Sequence, residues 1–187
     1  MLRFTLTAIV VACLVSNTCG AEPIEKFYYV GEMKLSSPTG RPMGSQAFLI
    51  EKTHDPDNNA IIERAVVVAA DGTVGDYIMD MKVSGTAFSL SDRKGTAKGT
   101  GELFGPAWHW TYFKADYRST NGIRITDENF MTDPSMITAR KQVSAPDGKP
   151  IMYMEGSFKS ITPQTFQLLS SALFGKAEHQ PTSKASH

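Results

Sequence analysis

The feature that most constrains this chain is a series of about ten short runs in which apolar and polar residues alternate, each run ended by a turn signal. From Asp76 to Val83, the residues Tyr77, Met79, Met81 and Val83 fall on one side, and Asp76, Asp80 and Lys82 fall on the other. Nearer the start, Phe27, Tyr29, Gly31, Met33 and Leu35 share a side opposite Glu32 and Lys34. A repeat of two residues is the repeat of a β-strand, and a strand with one apolar side belongs to an antiparallel sheet with one face on a core. Asp71-Gly72, Asn121-Gly122 and Asp147-Gly148 are dipeptides that supply the positive φ of tight hairpins, and Ser84-Gly85 adds a fourth. Strands are expected over 27–35, 44–53, 60–69, 75–83, 86–91, 96–104, 107–116, 122–131, 135–144 and 150–159.

Consecutive strands joined by hairpin-length turns must hide their edges, and closing the sheet on itself does so. The expected fold is therefore all-β, an antiparallel meander barrel of about ten strands, with a sandwich as the competing arrangement. One short C-terminal helix should follow. Thr162 can cap it, Pro163 suits its first position, and Phe166, Leu169 and Leu173 are spaced along one face until Gly175 ends it. The barrel domain is expected over 22–175, and residues 176–187, nearly without apolar side chains, over a disordered polar tail.

The first residues follow a different rule. Arg3, the apolar run Ala8 to Val15, and then Ser16, Asn17, Thr18, Cys19, Gly20 and Ala21 have the order of a secretory signal peptide, expected over 1–21. The apolar run is too short to span a bilayer, so no integral membrane segment is expected once it is removed. Both cysteines, Cys13 and Cys19, would leave with it. The mature chain would then be periplasmic or secreted, held by packing alone, and unable to use a catalytic thiol or thiolate-bound zinc. Lys plus Arg and Asp plus Glu are balanced at 19 each, without a basic block, which argues against a nucleic-acid partner.

A signal peptide, a meander of about ten strands and one C-terminal helix together resemble the calycin architecture of lipocalin-like and fatty-acid-binding-like barrels. The segment Gly105-Pro106-Ala107-Trp108-His109-Trp110-Thr111-Tyr112 is similar to the late Trp-rich strand of exported lipocalin-like domains. This resemblance implies the barrel and a ligand-binding role. The first strand carries Tyr28, Tyr29 and Gly31 without the Trp of the lipocalin Gly-x-Trp.

As a strand, that segment would put Trp108, Trp110 and Tyr112 on one side and His109, Thr111 and Phe113 on the other. Such an aromatic row could grip an apolar ligand and orient it by indole N–H and phenol O–H, or could simply fill a core. Met33, Met79, Met81, Met152 and Met154 fall on the inward sides with Tyr29, Tyr77 and Phe158, and methionine adapts to irregular apolar shapes. The candidate lining is thus Trp108, Trp110, Tyr112, Tyr77, Met79, Met81, Met152 and Met154.

No catalytic group is expected. G-x-S-x-G, a P-loop, G-x-G-x-x-G before a helix and H-E-x-x-H are absent. Asp76 and Asp80 share a solvent side where nothing suggests burial, and Glu102, Glu128 and Glu155 stand isolated. No metal or cofactor is expected either: His54, His109, His179 and His187 have no ligand spacing, and Asp55 to Asn59 reads as a turn rather than a calcium loop. A haem held by His109 alone is an alternative. The expected function is a non-catalytic exported barrel holding a small apolar or amphipathic ligand. The alternatives are an interaction or structural domain that uses its outer surface without a cavity, and a small barrel enzyme with Tyr112, His109 or Glu155 converging inside.

Overall fold

The computed structural model describes residues 24–105 and 110–177. The signal segment, Trp108, His109 and residues 178–187 lie outside the described residues. The alternating runs form β1 (Glu25–Ser36), β2 (Pro42–Asp55), β3 (Ala60–Val68), β4 (Val74–Ser84), β5 (Ala87–Asp92), β6 (Ala97–Phe104), β7 (Tyr112–Ser119), β8 (Arg124–Asp133), β9 (Met136–Ser144) and β10 (Pro150–Ser160), followed by α1 (Pro163–Ala177). Every strand pairs antiparallel with its sequence neighbours, and β1 pairs with β10 from Tyr29↔Ser160 to Ser36↔Tyr153. The sheet therefore closes in the order β1-β10-β9-β8-β7-β6-β5-β4-β3-β2. The expected meander barrel forms, and the sandwich does not.

One end of the barrel, here the upper end, repeats a single turn design. Gly40, Gly72, Gly122 and Gly148 have φ of 82°, 85°, 83° and 86°. Each donates its N–H to a carbonyl three residues earlier, on Ser37, Ala69, Ser119 and Ala145 respectively, at 2.9 Å. This is the three-residue hairpin, a tight turn followed by a left-handed residue that only glycine adopts without strain. Side chains reinforce it: Asp71 accepts from the Thr73 N–H at 2.9 Å and Asp147 from the Lys149 N–H at 3.1 Å. The three turn dipeptides Asp71-Gly72, Asn121-Gly122 and Asp147-Gly148 mark three of these four turns.

The lower end is packed. Ile61, Met81, Phe88, Leu103, Trp110 and Phe113 belong to one buried cluster. The Phe88 and Phe113 rings stack at 4.9 Å, and Trp110 tilts against Phe113 at 5.7 Å. Phe88 can lie flat on the wall because its ring covers Gly101, where any Cβ would collide with it. Trp110, 3% exposed, precedes β7 rather than standing within it. The strand expected over 107–116 thus begins later, after a turn at Gly105 with φ 118°, and its inward phase starts at Phe113.

The helix lies outside the barrel on β1 and β2. Phe166 packs with Leu49 and Val66, joined by Tyr28, Val30, Leu173 and Phe174. Thr162 caps it as expected, its Oγ1 accepting from the Thr165 N–H at 3.2 Å. Two expectations are corrected. The helix runs through Gly175 to Ala177, so Gly175 does not end it. An isolated helical glycine costs only about 1 kcal/mol relative to alanine, which the packing of Leu173 and Phe174 offsets. Leu169 is left partly exposed because contact runs along the narrow stripe Phe166, Leu173 and Phe174. Among the described residues no helix is long and apolar enough to cross a membrane.

Candidate functional site: a barrel cavity with a polar floor

The same alternation that buries the apolar residues also carries charges inward. Lys52 shares the phase of Phe48 and Ile50 on β2, Glu63 that of Ile61 and Ala65 on β3, Asp127 that of Ile125 and Asn129 on β8, and Lys141 that of Ile137 and Ala139 on β9. The register sets them in opposite-charge pairs, Lys52 across from Glu63 and Asp127 across from Lys141. Lys52 Nζ lies 3.0 Å from Glu63 Oε2, and Lys141 Nζ lies 2.7 Å from Asp127 Oδ2. Asp127 is completed by the Asn129 amide, which donates to Oδ1 at 2.9 Å. Lys52 also stands over the Trp110 ring at 4.9 Å and the Phe113 ring at 5.7 Å, so the lower aromatic plug holds its charge from below.

Burial and pairing oppose each other in this belt. Burial pushes the Glu63 carboxyl up, and the Lys52 and Lys141 ammoniums more than offset it, leaving it below its ordinary value. Burial pulls Lys141 down, and Asp127, Tyr117 and Glu63 more than offset that, leaving it raised. The Lys141–Glu63 influence runs across the lumen between the two pairs. Tyr117, inward on β7, is pushed up to about 12 by burial, with Lys141 opposing and Asp127 and Glu63 assisting. Its phenol therefore stays protonated at any ordinary pH. Among the described residues none hydrogen-bonds the Tyr117 hydroxyl or the Glu63 Oε1.

The belt divides the interior into two chambers. Beneath it is a void of about 60 Å³ among Lys52, Asp127, Asn129, Phe113 and Ile137. Above it is a cavity of about 820 Å³. Phe48, Glu63, Ala65, Met79, Tyr117 and Lys141 border both chambers. Above that floor Val67, Ile125, Val143 and Met154 form an apolar wall interrupted by Gln46, and Asp92, Lys94, Thr96, Ser119 and Asn121 make the rim polar. At the mouth the wall is cut down on one side. β5 pairs with β4 only over Met79–Ser84, so Val74–Tyr77 form a lip with no strand beside them there. Tyr77, 57% exposed, stands on this lip with its ring over Gly75. Lys94 and Asn121 line the same opening.

The candidate lining residues are distributed unevenly. Tyr77, Met79 and Met154 line the upper cavity, Met81 lines the lower void, and Met152 packs against the core. Trp110 plugs the lower end and does not share a face with Tyr112. Tyr112 does not line the barrel: it is outward on β7 between the Phe104 and Phe130 rings, and donates to Glu128 Oε1 at 3.0 Å. Trp108 lies outside the described residues. Glu155 is exposed and paired with Arg140 at 3.4 Å, so neither it nor Tyr112 converges inside. Asp76 and Asp80 do face outward, where Arg64 and Arg93 hold them.

Sequence reasoning passed over Lys52, Glu63, Tyr117, Asp127 and Lys141. Asp127 is buried and Glu63 half-buried, two inward carboxylates outside the set that the sequence pattern singled out. The signal that could have found them is phase, since each sits two residues from an inward apolar side chain on its own strand. Among the described residues no three of His, Cys, Asp and Glu gather as metal ligands. No protein-family model matches the chain, and no curated protein matches it.

Proposed function

We propose that the barrel is a binding protein that holds one small amphipathic molecule in its upper chamber. The observation that carries this reading is the cavity of about 820 Å³ with a mostly apolar wall, a polar floor and an open lip. That volume lies within the range of ligand pockets, roughly 300–1,000 Å³, and apolar walls with a few placed polar groups are their usual makeup. The lining also suits flexible guests, since Met79 and Met154 can repack around different shapes. Closure, strand order and the outer helix are compatible with a lipocalin-like barrel, and we read the chain as a lipocalin-like member of that architecture. We read it also as exported, on the order of Arg3, the apolar run and the small residues through Ala21.

Native mass spectrometry tests the binding reading. The full chain, purified without detergent and then exposed to a total lipid extract, should carry an added mass that is lost on denaturation. Val67→Trp, which places an indole in the upper chamber, should abolish that mass while leaving the fold's far-UV spectrum intact. An apo mass before and after exposure would overturn the proposal. N-terminal sequencing of the protein from its native source should begin immediately after Gly20 or Ala21, and an intact Met1 would remove the export reading.

A further inference from the structure

The floor of the upper chamber has a charge pattern that selects among guests. Three of its groups border the cavity and have hydrogen-bonding capacity left over: the Tyr117 hydroxyl, Glu63 Oε1, and the Lys141 ammonium beyond its bond to Asp127. Yet none of the charges there is in surplus. Lys52 is matched by Glu63 and Lys141 by Asp127, with both Asp127 oxygens already engaged. A guest carboxylate or phosphate reaching this floor would lose its water, meet an ammonium already neutralised, and face the Glu63 carboxylate. A guest ammonium would face Lys141 in the same way. A buried charge without its own partner is strongly disfavoured.

An uncharged head that both donates and accepts has no such conflict. It can accept from Lys141 or Tyr117 and donate to Glu63, satisfying groups that no described residue satisfies. Buried polar groups are normally paired, so such capacity at the foot of a mostly apolar wall is where a guest's polar atoms belong. We infer that the chamber takes a neutral-headed amphiphile, an alcohol or a comparable uncharged hydroxyl-bearing molecule, seated head-down on Tyr117, Glu63 and Lys141. This inference rests on the binding reading above and specifies its ligand class.

Displacement of the neutral dye Nile red from the full chain tests it, with n-decanol, decanoate and decylammonium as probes near neutral pH, each below its micelle concentration. Decanol should bind at least about ten-fold more tightly than either charged probe, because only it avoids an unmatched buried charge. Tyr117→Phe should weaken decanol by roughly three- to ten-fold, the worth of one hydrogen bond, measured against the dye's own affinity for that variant. Glu63→Gln, which leaves one cation in surplus, should raise decanoate relative to decanol.

Decanoate or decylammonium binding the unaltered chain as tightly as decanol would overturn the neutral-head inference while the binding reading stands. Nile red that no probe displaces would do the same, as would a Tyr117→Phe variant with unchanged decanol affinity. If neither the dye nor any probe binds, the binding reading falls first and takes this inference with it. Should Glu63→Gln fail to fold, Tyr117→Phe and the three-probe ranking still decide the matter.

Discussion

The two halves of this barrel are built from the same ten strands with the same inward alternation, and they do opposite things with it. Below the ionic belt the inward positions carry Ile61, Met81, Phe88, Leu103, Trp110 and Phe113, and the rings interlock into a buried cluster. Above the belt they carry Ala65, Val67, Ala97, Ile125 and Val143, and a cavity of about 820 Å³ is left open. Backbone geometry is shared, so residue volume makes the difference: an eight- to ten-strand barrel has an interior that large side chains fill and small ones do not. The belt is what allows the two to coexist. Lys52, held between Glu63 and the Trp110 ring, ties the floor of the open half to the plug of the closed one.

The most direct way to break this contrast is to empty the closed half. Trp110→Ala removes a buried indole that touches Phe113 and carries the Lys52 charge, and it should cost about 3–5 kcal/mol of stability in urea unfolding. A loss under about 1 kcal/mol would mean that the lower end is not a packed core. Because Lys52 loses its aromatic support in the same change, the variant should also soften the floor of the upper chamber. Nile red should then bind it less tightly.

Fold was far more legible in the sequence than site. Asp71-Gly72, Asn121-Gly122 and Asp147-Gly148 each mark a hairpin because a left-handed residue after a tight turn is a local demand, met within five residues. Meander order followed from those short connections, and barrel closure from the number of strands. Trp110 and Tyr112 show where local reading stops. Their spacing of two put them on one face only if both were in strand, and the turn at Gly105 delays β7 until Tyr112. Lys52 and Lys141 show the other failure. Each looks like a solvent-facing charge until the register brings Glu63 or Asp127 opposite it, and register is a property of two strands together.

The belt separating the halves should also show itself in the pH dependence of stability. Glu63 is held below its ordinary carboxyl value, so its contribution is present above about 4.5 and is lost as pH falls through the lowered value. Lys141 is raised above 10.5, so its contribution is present below that pH and is lost as pH rises through the raised value. Tyr117 adds to the alkaline loss. An unfolded tyrosine ionises near 10, whereas Tyr117 holds its proton to about 12, so the native state binds more protons between these values and stability falls. That part amounts to roughly 2 kcal/mol at the top of the interval. Urea unfolding at successive pH values above 10 should give a shallower decline for Tyr117→Phe than for the unaltered chain. Coincident declines would show that Tyr117 ionises freely and that the floor is wetter than its burial implies.

The smallest effect on stability should come from the open half, and there the contrast is sharpest. Tyr77 is mostly exposed on a lip that β5 leaves unpaired on one side, so Tyr77→Ala should change unfolding by less than about 0.5 kcal/mol. Its ring nevertheless stands at a cut-down part of the mouth, lying over Gly75. Removing it should widen the entrance and speed Nile red release several-fold in stopped-flow dilution, with equilibrium affinity falling less. Gly75→Ala reaches the same end by another route. Its Cβ would come within 2.6 Å of the Tyr77 ring, and since that ring is the far end of a mobile side chain it should swing away at little cost. If both variants release the dye at the unaltered rate, the lip is not the entrance, and guests reach the upper chamber between the hairpins of the opposite rim.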